Sequence, residues 1–103
     1  MPTLACHVPP KSAIVAFCNK FGIAEVSLFG SILRDDFGPD SDVDVLIALK
    51  PGYELTIDTY LAMRDELSAL FDGREIDLTQ KSLLTNPFRR HEILRTRQVL
   101  YAA

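Results

Sequence analysis

The stretch Leu28-Phe29-Gly30-Ser31-Ile32-Leu33-Arg34-Asp35-Asp36-Phe37-Gly38-Pro39-Asp40-Ser41-Asp42-Val43-Asp44-Val45-Leu46-Ile47 decides the fold of this chain. A Gly-Ser pair closes one apolar run, and a loop rich in Asp, Gly and Pro follows. Two aspartates, one residue apart, then open a second apolar run. This run is continuous enough to predict a strand that is buried on both faces.

The pattern outside this stretch predicts helices around a small sheet. Apolar residues at helical spacing lie between Pro10 and Gly22, and the pair Asn86-Pro87 begins a last helix whose apolar residues make no single clean stripe. The predicted elements are helices near residues 10–22 and 56–71 and from 86 onward, strands at 25–29, 43–49 and 74–80, and a short helical turn at 31–35. The predicted fold class is therefore α/β (α+β), a short mixed β-sheet flanked by helices.

Composition limits the class of protein. The chain has 103 residues, of which 48% are hydrophobic. This suits one domain over residues 1–103, with residues 1–9 as a loose N-terminal arm. No apolar run approaches the roughly 20 residues that span a bilayer, and the N-terminus lacks the features of a signal peptide. We therefore expect a cytoplasmic protein with no membrane contact, in which Cys6 and Cys18 are reduced thiols.

The acidic charge of the chain is local. Its net charge is −3, and five of its fourteen acidic residues lie within residues 35–44. The rest of the chain is only slightly basic, so we expect no direct nucleic-acid binding. Acids gathered in one segment suit a cation site.

Asp42 and Asp44 are the first candidate metal ligands. Residues i and i+2 of a strand point to the same face, and their Cα atoms are roughly 7 Å apart. Mg²⁺ prefers oxygen ligands and usually takes one or two protein carboxylates together with substrate phosphates. Asp77 lies on the polar face of the next predicted strand, so it is a candidate third ligand and a candidate acceptor for the proton of an attacking hydroxyl.

The Gly30-Ser31 pair is the candidate phosphate site. A residue without Cβ lets the backbone approach a phosphate closely, and N–H groups at a helix N-terminus favour an anion. The hydroxyl of Ser31 can donate to a terminal phosphate, and Arg34 can reach the same group, although a solvated arginine is an equal alternative. Metal-held phosphates and an oxygen nucleophile are the components of phosphoryl or nucleotidyl transfer. An isolated Asp-x-Asp is common in surface loops, so the hypothesis depends on the whole combination.

The Gly30-Ser31 pair, ten further residues and Asp42-Val43-Asp44 resemble the signature of the DNA polymerase β-like nucleotidyltransferase superfamily. The form Phe29–Arg34 and the short length resemble its minimal nucleotidyltransferase branch, and the likeness covers nearly the whole chain. It implies a small nucleotidyltransferase fold. One departure is Asp35, which stands where members often have Gly after the arginine.

The resemblance also implies the roles of the site residues. It places Mg²⁺, as two ions, on Asp42, Asp44 and Asp77, the catalytic residues, and the triphosphate of ATP on Gly30 and Ser31. It implies an antitoxin that forms a hetero-oligomer with an all-helical HEPN toxin and transfers AMP from ATP to a tyrosine of that toxin. Two alternatives stay open: a nucleotidyltransferase that modifies a small molecule or RNA with a separate acceptor-binding partner, and an antitoxin that only binds its toxin.

Overall fold

The computed structural model describes residues 8–33, 38 and 41–103, with Ser31 described by its backbone alone. The predictions for Arg34, Asp35 and the other loop acids, and for residues 1–7 of the arm, lie outside this part of the chain. Val8 packs against the core and Pro9 is buried, so the last two residues of the predicted arm belong to the packed structure.

Within these residues the chain forms three α-helices and four β-strands. In chain order they are α1 (Lys11–Phe21), β1 (Ile23–Phe29), β2 (Val43–Leu49), α2 (Ile57–Leu70), β3 (Ile76–Gln80), α3 (Pro87–Thr96) and β4 (Gln98–Ala102). Short 3₁₀ turns follow β1 at Gly30–Leu33 and β3 at Lys81–Leu83.

The strands form one mixed sheet in the order β3-β2-β1-β4. β1 is antiparallel to both β2 and β4, whereas β2 and β3 are parallel. The predicted fold class, a short mixed sheet flanked by helices, is therefore confirmed. In this topology one end of the sheet collects the C-terminal end of β1 and the N-terminal ends of β2, β3 and β4.

The two faces of the sheet carry different helices. The larger core cluster joins the sheet to α1 and α2, for example through Phe17, Val45 and Leu67. A smaller cluster on the opposite face joins the sheet to α3, and its buried members are Phe29, Leu46, Leu84 and Ile93. Since strand residues alternate between faces, Asp44 and Leu46 share the face that α3 covers.

Local signals in the sequence explain where the helices begin and end. α1 stops at Gly22, which has a φ of 68° and accepts the left-handed conformation that a helix C-terminus requires. The side chain of Thr56 accepts a hydrogen bond from the backbone N–H of Thr59 at the start of α2. Asn86 accepts from the N–H groups of Phe88 and Arg89 at the start of α3. None of the helices in the described residues is long and apolar enough to span a bilayer.

The end of the chain differs from the prediction. The last helix stops at Thr96, and Arg97 is extended, with a ψ of 150°. Residues 98–102 form β4, which pairs with β1 at the edge of the sheet. The apolar residues after Arg97 therefore made no helical stripe because they belong to a strand, in which Leu100 and Tyr101 pack against the core and Val99 is exposed.

Candidate functional site

Asp44 and Asp77 lie side by side on the sheet. Asp44 is the second residue of β2 and Asp77 is the second residue of β3, and the parallel register pairs their Cα atoms directly. Paired residues of adjacent strands project from the same face, about 5 Å apart. The prediction that residue 77 joins residue 44 on one face of the sheet is therefore confirmed by the register.

Asp42 precedes β2 by one residue and is exposed. The alternation of the strand, continued to this position, puts it on the side of Asp44. Among the described residues, no group of three or more His, Cys, Asp or Glu side chains is arranged to hold a metal ion. The three predicted acids thus occupy one end of the sheet without forming a finished three-ligand cage.

Gly30 is in direct contact with the carboxylate of Asp44. Gly30 has a φ of 75°, and a Cβ atom built on it would lie 2.2 Å from Oδ2 of Asp44. A side chain at residue 30 would therefore displace the carboxylate, in addition to being strained at that φ. The sequence predicted that Gly30 lets a phosphate approach the backbone. In the structure, the space that a side chain of residue 30 would fill is occupied by the Asp44 carboxylate.

The 3₁₀ turn that begins at Gly30 contains Ser31. The backbone of Ser31 lies next to the Gly30–Asp44 contact, while its side chain and the whole of Arg34 lie outside the described residues. The predicted phosphate contacts of the Ser31 hydroxyl and the Arg34 guanidinium stay predictions.

Arg74 holds the loop that leads into Asp42. Its Nη1 donates to the carbonyl oxygens of Gly38 and Ser41 at 2.9 and 3.2 Å. The loop is also closed on itself, since the N–H of Ser41 donates to the carbonyl of Gly38 at 3.1 Å. The hydroxyl of Ser68 on α2 donates to the carbonyl of Arg74 at 2.7 Å and so anchors its backbone.

Sequence reasoning missed this role of Arg74. The residue was predicted to begin the third strand, which instead starts at Ile76. The two acceptors of its Nη1 are backbone carbonyls more than thirty residues away along the chain, and backbone acceptors leave no pattern in the sequence. The Gly and Pro residues of the loop predicted a turn but not what would hold it.

A cavity of about 520 Å³ opens beside Gly30. It lies on the α3 side of the sheet, between the 3₁₀ turn, α3 and the start of β4. Its lining residues are Phe29, Gly30, Leu33, Arg89, Glu92, Ile93, Thr96 and Gln98. Because Gly30 belongs both to this wall and to the contact with Asp44, the cavity lies beside the acidic end of the sheet.

The chemistry of this end of the sheet suits a cation-bound polyphosphate. Paired carboxylates beside a glycine turn supply the hard oxygen ligands that Mg²⁺ prefers. Asp42 and Asp77 make no salt bridge with a described residue. These acids therefore fit Mg²⁺ held jointly by protein carboxylates and substrate phosphates.

Comparisons with known proteins agree with this geometry. The model of the nucleotidyltransferase domain family matches residues 11–100. A protein adenylyltransferase, MntA of Thermococcus cleftensis, is 32% identical over 83 residues, which cover 81% of this chain and 78% of the relative.

Two solved structures share the fold. One is named a minimal nucleotidyltransferase, is 29% identical, covers 84% of this chain and 85% of its own, and gives a TM-score of 0.68. The other is a chain in a complex of tri-AMPylated HEPN toxin with MNT antitoxin from Shewanella oneidensis. It is 16% identical, covers 90% of this chain and 70% of its own, and gives a TM-score of 0.60, which shows likeness of fold.

Proposed function

Since this chain belongs to the nucleotidyltransferase domain family and is a nucleotidyltransferase enzyme, we propose that it is a protein adenylyltransferase antitoxin. It transfers AMP from ATP to a tyrosine of a HEPN toxin, with which it forms a hetero-oligomer. The resemblance to minimal nucleotidyltransferases stated from the sequence is confirmed by the family match.

The observation that carries the proposal is the pairing of Asp44 with Asp77 beside Gly30. In the proposed site Asp42, Asp44 and Asp77 hold Mg²⁺, as two ions. Bound there, Mg²⁺ neutralises the charge of the phosphate oxygens and of the pyrophosphate that leaves. Two carboxylates in direct register offer oxygen ligands to the same divalent cation, so the arrangement suits Mg²⁺.

Gly30, Ser31 and Arg34 contact the triphosphate in the proposed site. The missing side chain of Gly30 lets the Asp44 carboxylate lie against the turn, and the N–H groups that follow are suited to phosphate oxygens. Their task is to orient the α-phosphate toward the acceptor, because positioning supplies much of the rate enhancement in transfers of this kind.

The transfer itself is a substitution at the α-phosphorus. The tyrosine oxygen forms a bond to that phosphorus while the bond to the bridging oxygen breaks, so pyrophosphate leaves and AMP stays on the tyrosine. Asp77, exposed at this end of the sheet, accepts the hydroxyl proton of the tyrosine. The acceptor comes from the partner protein.

Support for the acceptor comes from the relatives. The Thermococcus cleftensis relative is named a protein adenylyltransferase, and the Shewanella oneidensis complex contains an AMPylated HEPN toxin together with an MNT antitoxin. A chain of this size and fold, with its cavity and acids at one exposed end, is suited to modify a side chain that a second protein presents.

The test is transfer of label from ATP to the product of the neighbouring gene. With [α-³²P]ATP and Mg²⁺ we expect label on a tyrosine of that protein, and loss of label with Asp42→Ala and with Asp44→Ala. Asp65→Ala, an exposed acid on α2, is the matched control and keeps the activity. Label on RNA or on a small amine would instead support a nucleotidyltransferase that modifies RNA or a small molecule. Neutralisation of the toxin that survives both site substitutions would support an antitoxin that only binds.

A further inference from the structure

The cavity beside Gly30 has the size and the position of a site for a whole small ligand. Its volume of about 520 Å³ lies inside the range of about 300–1,000 Å³ that is typical of ligand pockets. It starts at the glycine that also contacts Asp44. A ligand whose phosphates lie at the acids therefore has its next group directed to this cavity or to solvent.

The walls of the cavity suit a flat heteroaromatic ring. Phe29 and Ile93 are buried, with 5% and 7% of their surface exposed, and Leu33 is half-buried. They supply apolar surface on the sheet side and on the helix side. An aromatic ring placed between them loses its contact with water and gains dispersion contacts.

Two polar side chains of the wall, those of Glu92 and Thr96, are already engaged. Nη2 of Arg95 donates to both carboxylate oxygens of Glu92, at 2.8 and 2.9 Å. The hydroxyl of Thr96 donates to the carbonyl of Glu92 at 2.7 Å. These bonds fix the C-terminal turn of α3 and leave the Glu92 and Thr96 side chains committed to it.

Arg89 and Gln98 also line the cavity, and neither side chain makes a hydrogen bond or ion pair with a described residue. Arg89 is an exposed cation, whereas Gln98 is a half-buried, uncharged amide at the first position of β4, where pairing with Leu28 of β1 places its backbone. Its side-chain amide makes no hydrogen bond with a described residue. An amide offers one donor and one acceptor side by side, which is the pattern that Gln uses to contact adenine.

We infer that this cavity binds the adenosine half of ATP and that the amide of Gln98 is the group that selects adenine. The inference rests on the proposed function for the triphosphate, and it adds the base and the residue that reads it. Guanine presents two acceptors at the edge where adenine presents a donor and an acceptor, so one amide in a fixed position distinguishes the two purines.

The experiment compares three ligands, ATP, GTP and inorganic tripolyphosphate, by calorimetric titration of the full chain with Mg²⁺ present. We expect the wild type to bind ATP about tenfold more tightly than tripolyphosphate or GTP. Gln98→Leu removes the amide at nearly constant size and lowers ATP affinity about tenfold, while tripolyphosphate affinity stays unchanged. Gln98→Glu keeps the shape of the side chain and removes the hydrogen-bond donor. It is therefore also expected to lower ATP affinity, and it serves as the second variant should Gln98→Leu fold poorly.

Gln80→Leu is the matched control. Gln80 is a half-buried strand residue at the other end of the sheet, and its substitution leaves all three affinities unchanged. Equal affinity for ATP and tripolyphosphate in the wild type would overturn the inference while the triphosphate site stands. An unchanged ATP affinity in both Gln98 variants would also overturn the inference. This includes the case in which the variants raise only the KM for the protein acceptor. Failure of both ATP and tripolyphosphate to bind would overturn the proposed function as well.

Discussion

Carboxylates at the two ends of the sheet differ in what neutralises them. At the end where β1 begins, Glu25 lies between two cations of the protein. Arg97 donates to one of its oxygens, and Nζ of Lys81 is 3.7 Å from the other. At the opposite end, Asp42 and Asp77 have no cationic partner among the described residues.

This difference separates structural charge from functional charge. A half-buried acid whose task is stability is paired inside the protein, because an unpaired buried charge is costly. Asp42 and Asp77 are exposed and hydrated, so their charge remains available to a ligand that brings a cation. The comparison predicts that substitutions at one end reduce activity and those at the other reduce stability.

The largest expected effect is that of Asp44→Asn. The substitution keeps the size of the side chain beside Gly30 but removes the charge that the proposed metal requires. We expect the rate of AMP transfer to fall about a thousandfold, or ~4 kcal/mol in transition-state stabilisation. Single-turnover labelling of the partner protein measures it. A variant that kept a tenth of the wild-type rate would contradict the proposed role of Asp44.

Gly30→Ala is expected to reduce transfer about a hundredfold. The new Cβ would lie 2.2 Å from Oδ2 of Asp44, so the carboxylate must move. Gly52→Ala is the matched control, because Gly52 also has a positive φ, 88°, but nothing lies within 4 Å of the added atom. Both variants lose about 1–3 kcal/mol of stability to backbone strain, and only Gly30→Ala loses activity. Equal rates in the two variants would show that the Gly30–Asp44 contact is unimportant.

Arg74→Met is expected to weaken the site without removing a ligand. The loop before Asp42 loses the two hydrogen bonds that hold the carbonyls of Gly38 and Ser41. We expect the Mg²⁺ concentration needed for half-maximal transfer to rise about tenfold, with a smaller change in the rate at saturating Mg²⁺. Arg74→Lys, which keeps the charge but not the planar fork, recovers only part of the affinity.

The control for that experiment is Ser82→Ala, which changes no charge and lies at an exposed residue near the other end of the sheet. Its Mg²⁺ dependence stays at the wild-type value. An Arg74→Met variant with an unchanged Mg²⁺ dependence and a lower melting temperature would assign Arg74 to stability alone.

Glu25→Gln is expected to reduce stability and to leave activity nearly unchanged. Removal of the charge leaves Arg97 and Lys81, which are 19% and 27% exposed, without their carboxylate. Because the group is only partly buried, we expect a loss of about 1–2 kcal/mol in the free energy of unfolding. Urea unfolding measures this loss, and AMP transfer stays within about twofold of the wild type. A Glu25→Gln variant of wild-type stability with a large loss of AMP transfer would contradict the assignment of stability to one end of the sheet and activity to the other.

Cys18 gives the smallest effect at neutral pH. Burial raises the pKa of its thiol to about 11, and nearby Lys50 lowers it in part. Between pH 9 and pH 11 the thiol therefore keeps its proton in the folded chain and loses it in the unfolded chain, where its pKa is near 9.0. Stability contributed by this group is present below pH 9 and falls as the pH rises toward 11.

Alkylation kinetics test this property of Cys18. In a Cys6→Ser background at pH 8, we expect iodoacetamide to react about a hundredfold more slowly with the folded chain than with the urea-unfolded chain. Rapid alkylation of the folded chain would show that α1 does not protect the thiol. Transfer activity is expected to be the same before and after the treatment.

The fold and the acids were predictable because their signals are local. The apolar run 43–49 is buried on both faces, and such a run predicts a central strand from sequence alone. The spacing of Asp42 and Asp44 then follows from the two-residue period of that strand. Asn86 and Pro87 likewise mark the start of α3, because each acts on its own backbone.

The remaining features depend on contacts between distant residues. β4 was missed because residues 98–102 follow α3 with only Arg97 between, and a run of five residues shows no clear period. The cavity is formed by β1, α3 and β4 together. It could not be predicted from the sequence because the pairing of β4 with β1 was not predicted. The role of Arg74 depends on backbone carbonyls, which every residue has.

Binding of a paramagnetic ion tests the central claim most directly. Mn²⁺ substitutes for Mg²⁺ at carboxylate and phosphate oxygens, and it broadens the NMR signals of nearby amides. With AMP-PNP present, we predict that substoichiometric Mn²⁺ broadens the amides of Gly30, Asp44 and Asp77 much more strongly than those of Glu25 and Lys81. Broadening centred on Glu25 and Lys81, or spread evenly over the sheet, would contradict the claim that the paired acids beside Gly30 hold the metal.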